Sequence, residues 1–178
     1  MTLRAIHHAG LVVRDLDRSI YFYHDILGLP FANEPTPWFS GTQLEQGVGV
    51  PGATLRQVCF WVGEASTIEL IEYGNRPDTS TRPVPNNYMG AAHVCFRVDD
   101  VRTKKAELEA KGVTFYTDVN VVDEGPLAGW RWVYFSDPDG LALEIVEIAY
   151  YLKDEREAAS AEYLKTRPTL SEIQARLP

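Results

Sequence analysis

His8-Ala9-Gly10-Leu11-Val12-Val13-Arg14-Asp15 and, 85 residues further on, His93-Val94-Cys95-Phe96-Arg97-Val98-Asp99-Asp100 share one pattern: a leading histidine, an apolar alternation and an aspartate in eighth place. A chain that repeats itself at a fixed interval is built from repeated structural units, so these two octets govern the reading of the rest. Helix-like spacing follows each aspartate. Ile20, Tyr23, His24 and Leu27 fall on one helical face before Gly28, and Val101 and Leu108 precede Gly112. The units also end alike, in Ile68-Glu69-Leu70-Ile71-Glu72 and Leu143-Glu144-Ile145-Val146-Glu147, both of strand character. His8 lies 61 residues before Glu69, and His93 lies 51 before Glu144. The extra length of the first unit fits the stretch 33–53, whose prolines and glycines read as a loop or lid.

Further strands are expected over 55–62, 113–118 and 130–136, with Asp137-Pro138-Asp139-Gly140 as the turn into the last one. The chain therefore reads as α+β: a first βαβββ module over 1–74, a Pro-containing linker over 75–89, a second βαβββ module over 90–149 and a helical tail over 150–178. In the tail a helix is expected over 152–164, and Thr169-Leu170-Ser171-Glu172 has the pattern of a capping box.

The 178 residues are 45% hydrophobic and 24% charged, which fits neither a disordered nor a membrane-embedded chain. With 17 Lys and Arg against 25 Asp and Glu the net charge is −8, a balance that excludes nucleic acid and anionic membrane as expected partners. Cys59 and Cys95 are too few for a disulfide framework and read as small core residues in a reducing, cytoplasmic setting. Gly47-Val48-Gly49-Val50-Pro51-Gly52 matches a dinucleotide fingerprint by spacing alone. Pro51 and the strand that follows remove the helix N-terminus such a site needs, so it reads as a flexible loop.

Four ionisable residues recur at equivalent places: His8 with His93 at the start of the first strands, Glu69 with Glu144 in the last. Strand alternation puts His8, Gly10 and Val12 on one face and Ala9, Leu11 and Val13 on the other; the second copy separates His93, Cys95 and Arg97 from Val94, Phe96 and Val98. The apolar sets suit the helix-covered side, which leaves the histidines on the open side. A carboxylate placed twice between apolar strand neighbours needs something to pair it. If a pseudo-two-fold axis relates the modules, two imidazoles and two carboxylates converge on one divalent ion, Zn, Ni, Co, Mn or Fe. By the same alternation Glu72 and Glu147 take the opposite face, and so does His7, while His24 reads as structural.

At these residues the sequence resembles the vicinal-oxygen-chelate superfamily, which includes glyoxalase I, methylmalonyl-CoA epimerase, fosfomycin-resistance proteins and extradiol dioxygenases. The resemblance is carried by His8 through Leu16, Tyr21-Phe22-Tyr23, Leu27-Gly28-Leu29, Ile68-Glu69-Leu70, His93 through Asp100, Lys111-Gly112-Val113 and Tyr134 through Gly140 leading to Leu143-Glu144. It covers about residues 3–149. It implies paired βαβββ modules forming a curved mixed sheet around a cleft with one divalent metal, and a homodimer. By motif position the ligands fall on His8, Glu69, His93 and Glu144. Glutamate rather than glutamine at position 69 departs from the epimerase pattern and leans toward glyoxalase.

A metal that binds adjacent substrate oxygens stabilises an enediolate and acidifies the neighbouring C–H, and Glu69 or Glu144 then moves the proton. The expected activity is isomerisation, epimerisation or lyase chemistry on a small α-oxygenated carbonyl compound. One alternative is an Fe(II) extradiol dioxygenase using His8, His93 and Glu144; another is a metal-free antibiotic-binding protein. Arg97, Arg56 and Arg131 are the candidate anion contacts, and Trp38, Trp61 and Trp132, with Phe39, Tyr88 and Trp130, the candidate aromatic walls.

Overall fold

The computed structural model describes residues 5–77, 85–125, 127–148, 165 and 167–175. In the first module β1 (His8–Val12) leads through Asp15 into α1 (Leu16–Ile20), which runs on as a π-helical stretch, Tyr21–Ile26. β2 (Phe39–Ser40), α2 (Thr42–Val48), β3 (Thr54–Val62) and β4 (Ser66–Tyr73) complete it. The second module repeats the plan with β5 (His93–Arg97), α3 (Val101–Ala110), β6 (Asn120–Val121), β7 (Arg131–Ser136) and β8 (Ala142–Glu147). The strand orders are β1-β4-β3-β2 and β5-β8-β7-β6, with β1 parallel to β4 and β5 parallel to β8. The duplication expected from the two octets is thus present in the topology. Each module forms its own four-stranded mixed sheet, in keeping with the expected paired βαβββ modules, and both lie in one compact unit, Met1–Glu147.

Alternation sorts each sheet into an inner and an outer face. Val58, Phe60, Ile68 and Leu70 of the first sheet and Val133, Phe135, Leu143 and Ile145 of the second are buried, and all eight share one cluster with Leu16, Tyr23, Val101 and Leu108 from the helices. The helix-covered faces therefore meet in a common core, and burying each large side chain there contributes roughly 1.5–3 kcal/mol. Polar ties cross the same seam: Tyr23 Oη donates to Asp137 Oδ2 at 3.1 Å, Arg18 pairs with Asp139, and Lys111 Nζ donates to the carbonyls of Asp25 and Ile26 at 3.0 and 2.8 Å. Asp137 is buried; that burial raises its pKa, against which the amide donors of Leu141 and Asp139 and the Tyr23 hydroxyl pull down.

The helices begin alike. Asp15 accepts from Arg18 N, and Asp100 accepts from Arg102 N and Thr103 N, each as an N-cap. A glutamate from the last strand satisfies a further amide: Leu16 N donates to Glu72 at 2.7 Å and Val101 N to Glu147 at 3.1 Å. The helices end at glycines with positive φ, 82° at Gly28 and 90° at Gly112. The first helix, however, has one residue more between cap and glycine than the second. A helix takes up one inserted residue as a π turn, which is why Tyr21–Ile26 is π-helical and α3 is not.

Two expectations are corrected. The strand expected over 113–118 is reduced to a single bridge, Phe115 to Phe135, followed by the short β6, and the first module mirrors this with Phe31 to Phe60 and β2. The aromatic residues gave that segment strand-like composition, but the chain touches the sheet at one point only. The stretch 33–53, expected as a loop or lid, carries β2 and α2, the latter ended by Gly49 at φ 70°, and β3 follows it. The second unit, Ile148–Pro178, contains α4 (Leu170–Gln174). Its capping box forms: Thr169 N donates to Glu172 Oε2 at 2.7 Å and Glu172 N to Thr169 Oγ1 at 3.4 Å. The helix expected over 152–164 and the linker centre at 78–84 lie outside the described residues. Among the described residues no helix is long and apolar enough to cross a membrane.

Candidate functional site

Because the inner faces share the core, the outer faces are the exposed ones. They carry the four candidate ligands. His8 opens β1 and Glu69 sits in β4, flanked in register by Gly10 and Cys59. His8 Nε2 lies 3.7 Å from Glu69 Oε2. In the second sheet Glu144 is flanked by Cys95 and Tyr134, and His93 Nε2 lies 3.2 Å from Glu144 Oε2. The expected quartet is present as two like pairs, one per sheet. Among the described residues no three of the histidines, cysteines and acids gather closely enough to hold an ion within one chain.

The donor chemistry can be tested against a divalent ion. Two ligands at about 2.1 Å from one ion, subtending about 90–110°, lie about 3.0–3.4 Å apart. The His93–Glu144 spacing falls inside that range, and the His8–Glu69 spacing is a few tenths of an ångström wide of it. Both histidines aim Nε2 at the carboxylate. An imidazole and a carboxylate from each pair fit Zn, Ni, Co, Mn or Fe.

The surroundings of the pairs differ. His8 Nδ1 is 2.9 Å from His7 Nδ1, with the rings edge-on at 5.2 Å. His7 was expected to point away; it precedes β1, so strand alternation does not govern it. Around the second pair, Tyr134 Oη is 3.1 Å from His93 Nε2, and its ring packs edge-on against His93 and Trp132. Burial, then the Glu144 charge, pushes the Tyr134 hydroxyl up to about 12 and the Cys95 thiol up to about 12. Burial and Glu69 also raise Cys59. Both cysteines thus stay protonated thiols beside the carboxylates, Cys95 on the exposed face and Cys59 half-buried, where core positions were expected. Cys59 and Tyr134 each precede the candidate ligand glutamate by the same ten residues, a signal the repeat contains.

The remaining candidates divide by face. Arg97 shares a cross-strand row with Val146 and Trp132 on the outer face, next to the Glu144 row. Trp61 stands across Thr67 from His8 on the outer face of the first sheet and is 43% exposed. Arg56 and Arg131 are placed otherwise than as anion contacts. They sit in register with Glu72 and Glu147 on the inner faces and pair with them, so their charge is spent bracing the helix starts. Trp38 goes with them, its ring 5.3 Å under the Arg56 guanidinium. His24 is structural as expected, Nδ1 at 2.9 Å from Leu29 O and its ring against Phe31.

Comparison with known proteins shows the family and the fold. A 2-epi-5-epi-valiolone epimerase from an Actinomyces species is 32% identical over 146 residues, 81% of this chain and 79% of its own. A lactoylglutathione lyase of Pseudomonas aeruginosa is 30% identical over 148 residues, 79% of this chain and 81% of its own. The solved structure of a glyoxalase family protein from Bacillus cereus superposes with a TM-score of 0.68 at 21% identity, covering 83% of this chain and 96% of that one, a likeness of fold. The model of the glyoxalase/bleomycin resistance protein/dioxygenase superfamily matches residues 5–145, which run from before β1 into β8, and the chain belongs to that superfamily.

Proposed function

We propose that the protein is a divalent-metal-dependent isomerase or lyase of the glyoxalase and epimerase kind, moving a proton beside the carbonyl of a small α-oxygenated substrate. The observation that carries this reading is the duplicated pair: the same two ligand types, at register-equivalent positions, at 3.7 and 3.2 Å, on faces open to solvent. Relatives that are an epimerase and a lyase support the reaction class.

Each chain presents one pair per sheet on outward faces, so a complete set of four requires a second copy. β1 and β5 are edge strands, each hydrogen-bonded on one side, and a groove of about 430 Å³ lined by Gly10, Val12 and His93 runs beside them. Edge strands are natural places for a second chain to dock. A homodimer that sets the His8–Glu69 pair of one copy against the His93–Glu144 pair of the other gives the ion four ligands.

The chemistry such an ion would supply is positive charge at adjacent substrate oxygens, which would acidify the neighbouring C–H. His8 and His93 would hold it through Nε2, at His93 in place of the contact with the Tyr134 hydroxyl 3.1 Å away. A carboxylate oxygen of Glu69 or Glu144 accepts the proton from carbon and returns it to the neighbouring carbon or to the opposite face. Trp61 and Trp132 offer flat apolar walls, and Arg97 offers a cation for a polar substituent.

The test is metal analysis of purified protein, its mass in solution, and hydrogen-to-deuterium exchange into a panel of α-hydroxy ketones in D2O followed by NMR. About one tightly held divalent ion per chain, a dimer, and exchange lost in Glu69→Gln or Glu144→Gln are expected. A metal-free protein, or exchange unchanged in both variants, overturns the proposal.

A further inference from the structure

Duplication makes each side of the seam between the modules a control for the other. On one side the seam is filled. Tyr23, eight residues past the Asp15 cap, is fully buried, and its hydroxyl donates to Asp137, two residues past Phe135. On the other side the corresponding positions, eight residues past Asp100 and two past Phe60, hold Leu108 and Val62. Leucine is smaller than tyrosine and valine offers it no polar partner, and a cavity of about 240 Å³ opens there. Half-buried Leu29, Val62, Phe96 and Val98 line it together with Leu108 and Phe135 of the shared core. Two cations, Arg97 and Lys104, line it as well. Their counterparts on the filled side are Val12, four residues past His8, and buried Ser19, four past Asp15, so this charge is particular to the open side. Arg97 belongs to the edge strand β5, whose free margin borders the outer face and the cavity, and it has no hydrogen-bond or ion-pair partner among the described residues. Lys104 Nζ pairs with the exposed Glu107 carboxylate at 3.1 Å, a surface pair that contributes little and yields to a better-placed anion.

We infer that this cavity is a second ligand site, and that it takes a small monocarboxylate with an unbranched apolar tail, the tail against Phe96 and Leu108 and the carboxylate at Arg97 and Lys104. Apolar walls with cations beside them match an apolar body that carries one negative charge. An apolar cavity of about 150 Å³ admits benzene, so the larger one here suits a chain of about eight carbons. The inference does not depend on the proposed metal-dependent reaction, because the His–Glu pairs lie on the outer faces and the cavity opens between the inner ones.

The experiment is calorimetric titration of the full chain with sodium octanoate, with methyl NMR to locate the ligand. Saturable binding of one octanoate per chain is expected, with the largest shifts at Leu29, Val62, Val98 and Leu108. Butyrate, four methylenes shorter, should bind about 100-fold more weakly, and octanol, of equal length without the charge, about 10-fold more weakly. Val62→Phe, which fills the cavity, and Lys104→Glu, which reverses a cation beside it, are each expected to weaken octanoate about 10-fold or more. Leu108→Tyr combined with Val62→Asp, which rebuilds the filled side, should abolish binding. Where a cavity variant fails to fold, Lys104→Glu on the exposed side of α3 still decides. No saturable binding by the wild-type protein, unchanged affinity in Val62→Phe or in Lys104→Glu, or shifts confined to Val12, Ile71 and Val146 of the outer faces overturns the site. Binding that disappears when a chelator strips divalent ions puts the carboxylate on an ion and overturns it too, while leaving the metal reading intact.

Discussion

The inner and outer faces of the two sheets have diverged to different extents. On the inner faces of the later strands the modules match nearly residue for residue, Val58 with Val133, Phe60 with Phe135, Ile68 with Leu143, Leu70 with Ile145, and the Arg56–Glu72 pair with Arg131–Glu147, while in the first strands Ala9 and Leu11 correspond to the larger Val94 and Phe96. On the outer faces Gly10 corresponds to Cys95, Val12 to Arg97, Gln57 to Trp132 and Cys59 to Tyr134. Packing at crystal-like density constrains the shape of every inner side chain, so the duplicated core had little freedom to change. The outer faces differ at most positions; Ile71 and Val146 are alike, and His8 and His93, Glu69 and Glu144 are identical. Two His–Glu pairs kept on surfaces that otherwise differ fit the proposed shared ion and are not explained by packing alone.

The matching of the inner faces is tested most severely by deleting its largest members. Phe60 and Phe135 are both fully buried and both belong to the cluster that spans the modules. Phe60→Ala and Phe135→Ala are each expected to cost about 3–5 kcal/mol. Because the cluster is common to both sheets, each variant should unfold in a single urea transition that involves both modules. Two separated transitions in tryptophan fluorescence would show that the modules hold together independently and would break the comparison.

A smaller effect sharpens it. Glu72 accepts from Leu16 N and pairs with Arg56, and Glu147 accepts from Val101 N and pairs with Arg131. Replacing either by Ala leaves a half-buried amide and a cation without their acceptor, at a cost of about 1–3 kcal/mol. Glu72→Ala should cost more, since Arg56 is 23% exposed against 39% for Arg131 and water compensates it less. Neither variant should alter Co(II) affinity, because both carboxylates lie on the inner face; a loss of affinity would show that the two faces are coupled.

Much of this was legible in the sequence because duplication made each half a control for the other. Alternation around His8 and His93 gave the faces, and the five-residue ends gave the position of Glu69 and Glu144. What escaped depends on neighbours that sequence spacing does not order. Arg56 and Arg131 read as free cations until strand register set them opposite Glu72 and Glu147. Tyr134 read only as part of the family pattern, and Cys95 as core, until the sheet placed both beside Glu144. The π turn was written in the text as one residue more between Asp15 and Gly28 than between Asp100 and Gly112, a difference visible only once the repeats are aligned at both ends.

The helix starts provide the finest comparison. Asp15 accepts one backbone amide, from Arg18, while Asp100 accepts Arg102 N, Thr103 N and the Thr103 hydroxyl. Asp100→Ala should therefore destabilise the protein more than Asp15→Ala. The Thr103 amide and hydroxyl, and then Arg102, hold the Asp100 carboxyl below its ordinary value of 3.8. A carboxyl whose folded pKa is depressed adds stability that is complete above the unfolded value and disappears as pH falls through the folded one. The gap between wild type and Asp100→Ala should accordingly be constant near neutrality and shrink only in acid, below about pH 4. Paired urea melts at neutral pH and in acid measure it; a gap that widens in acid would mean that the cap works through its neutral form and not through the bonds to the carboxylate.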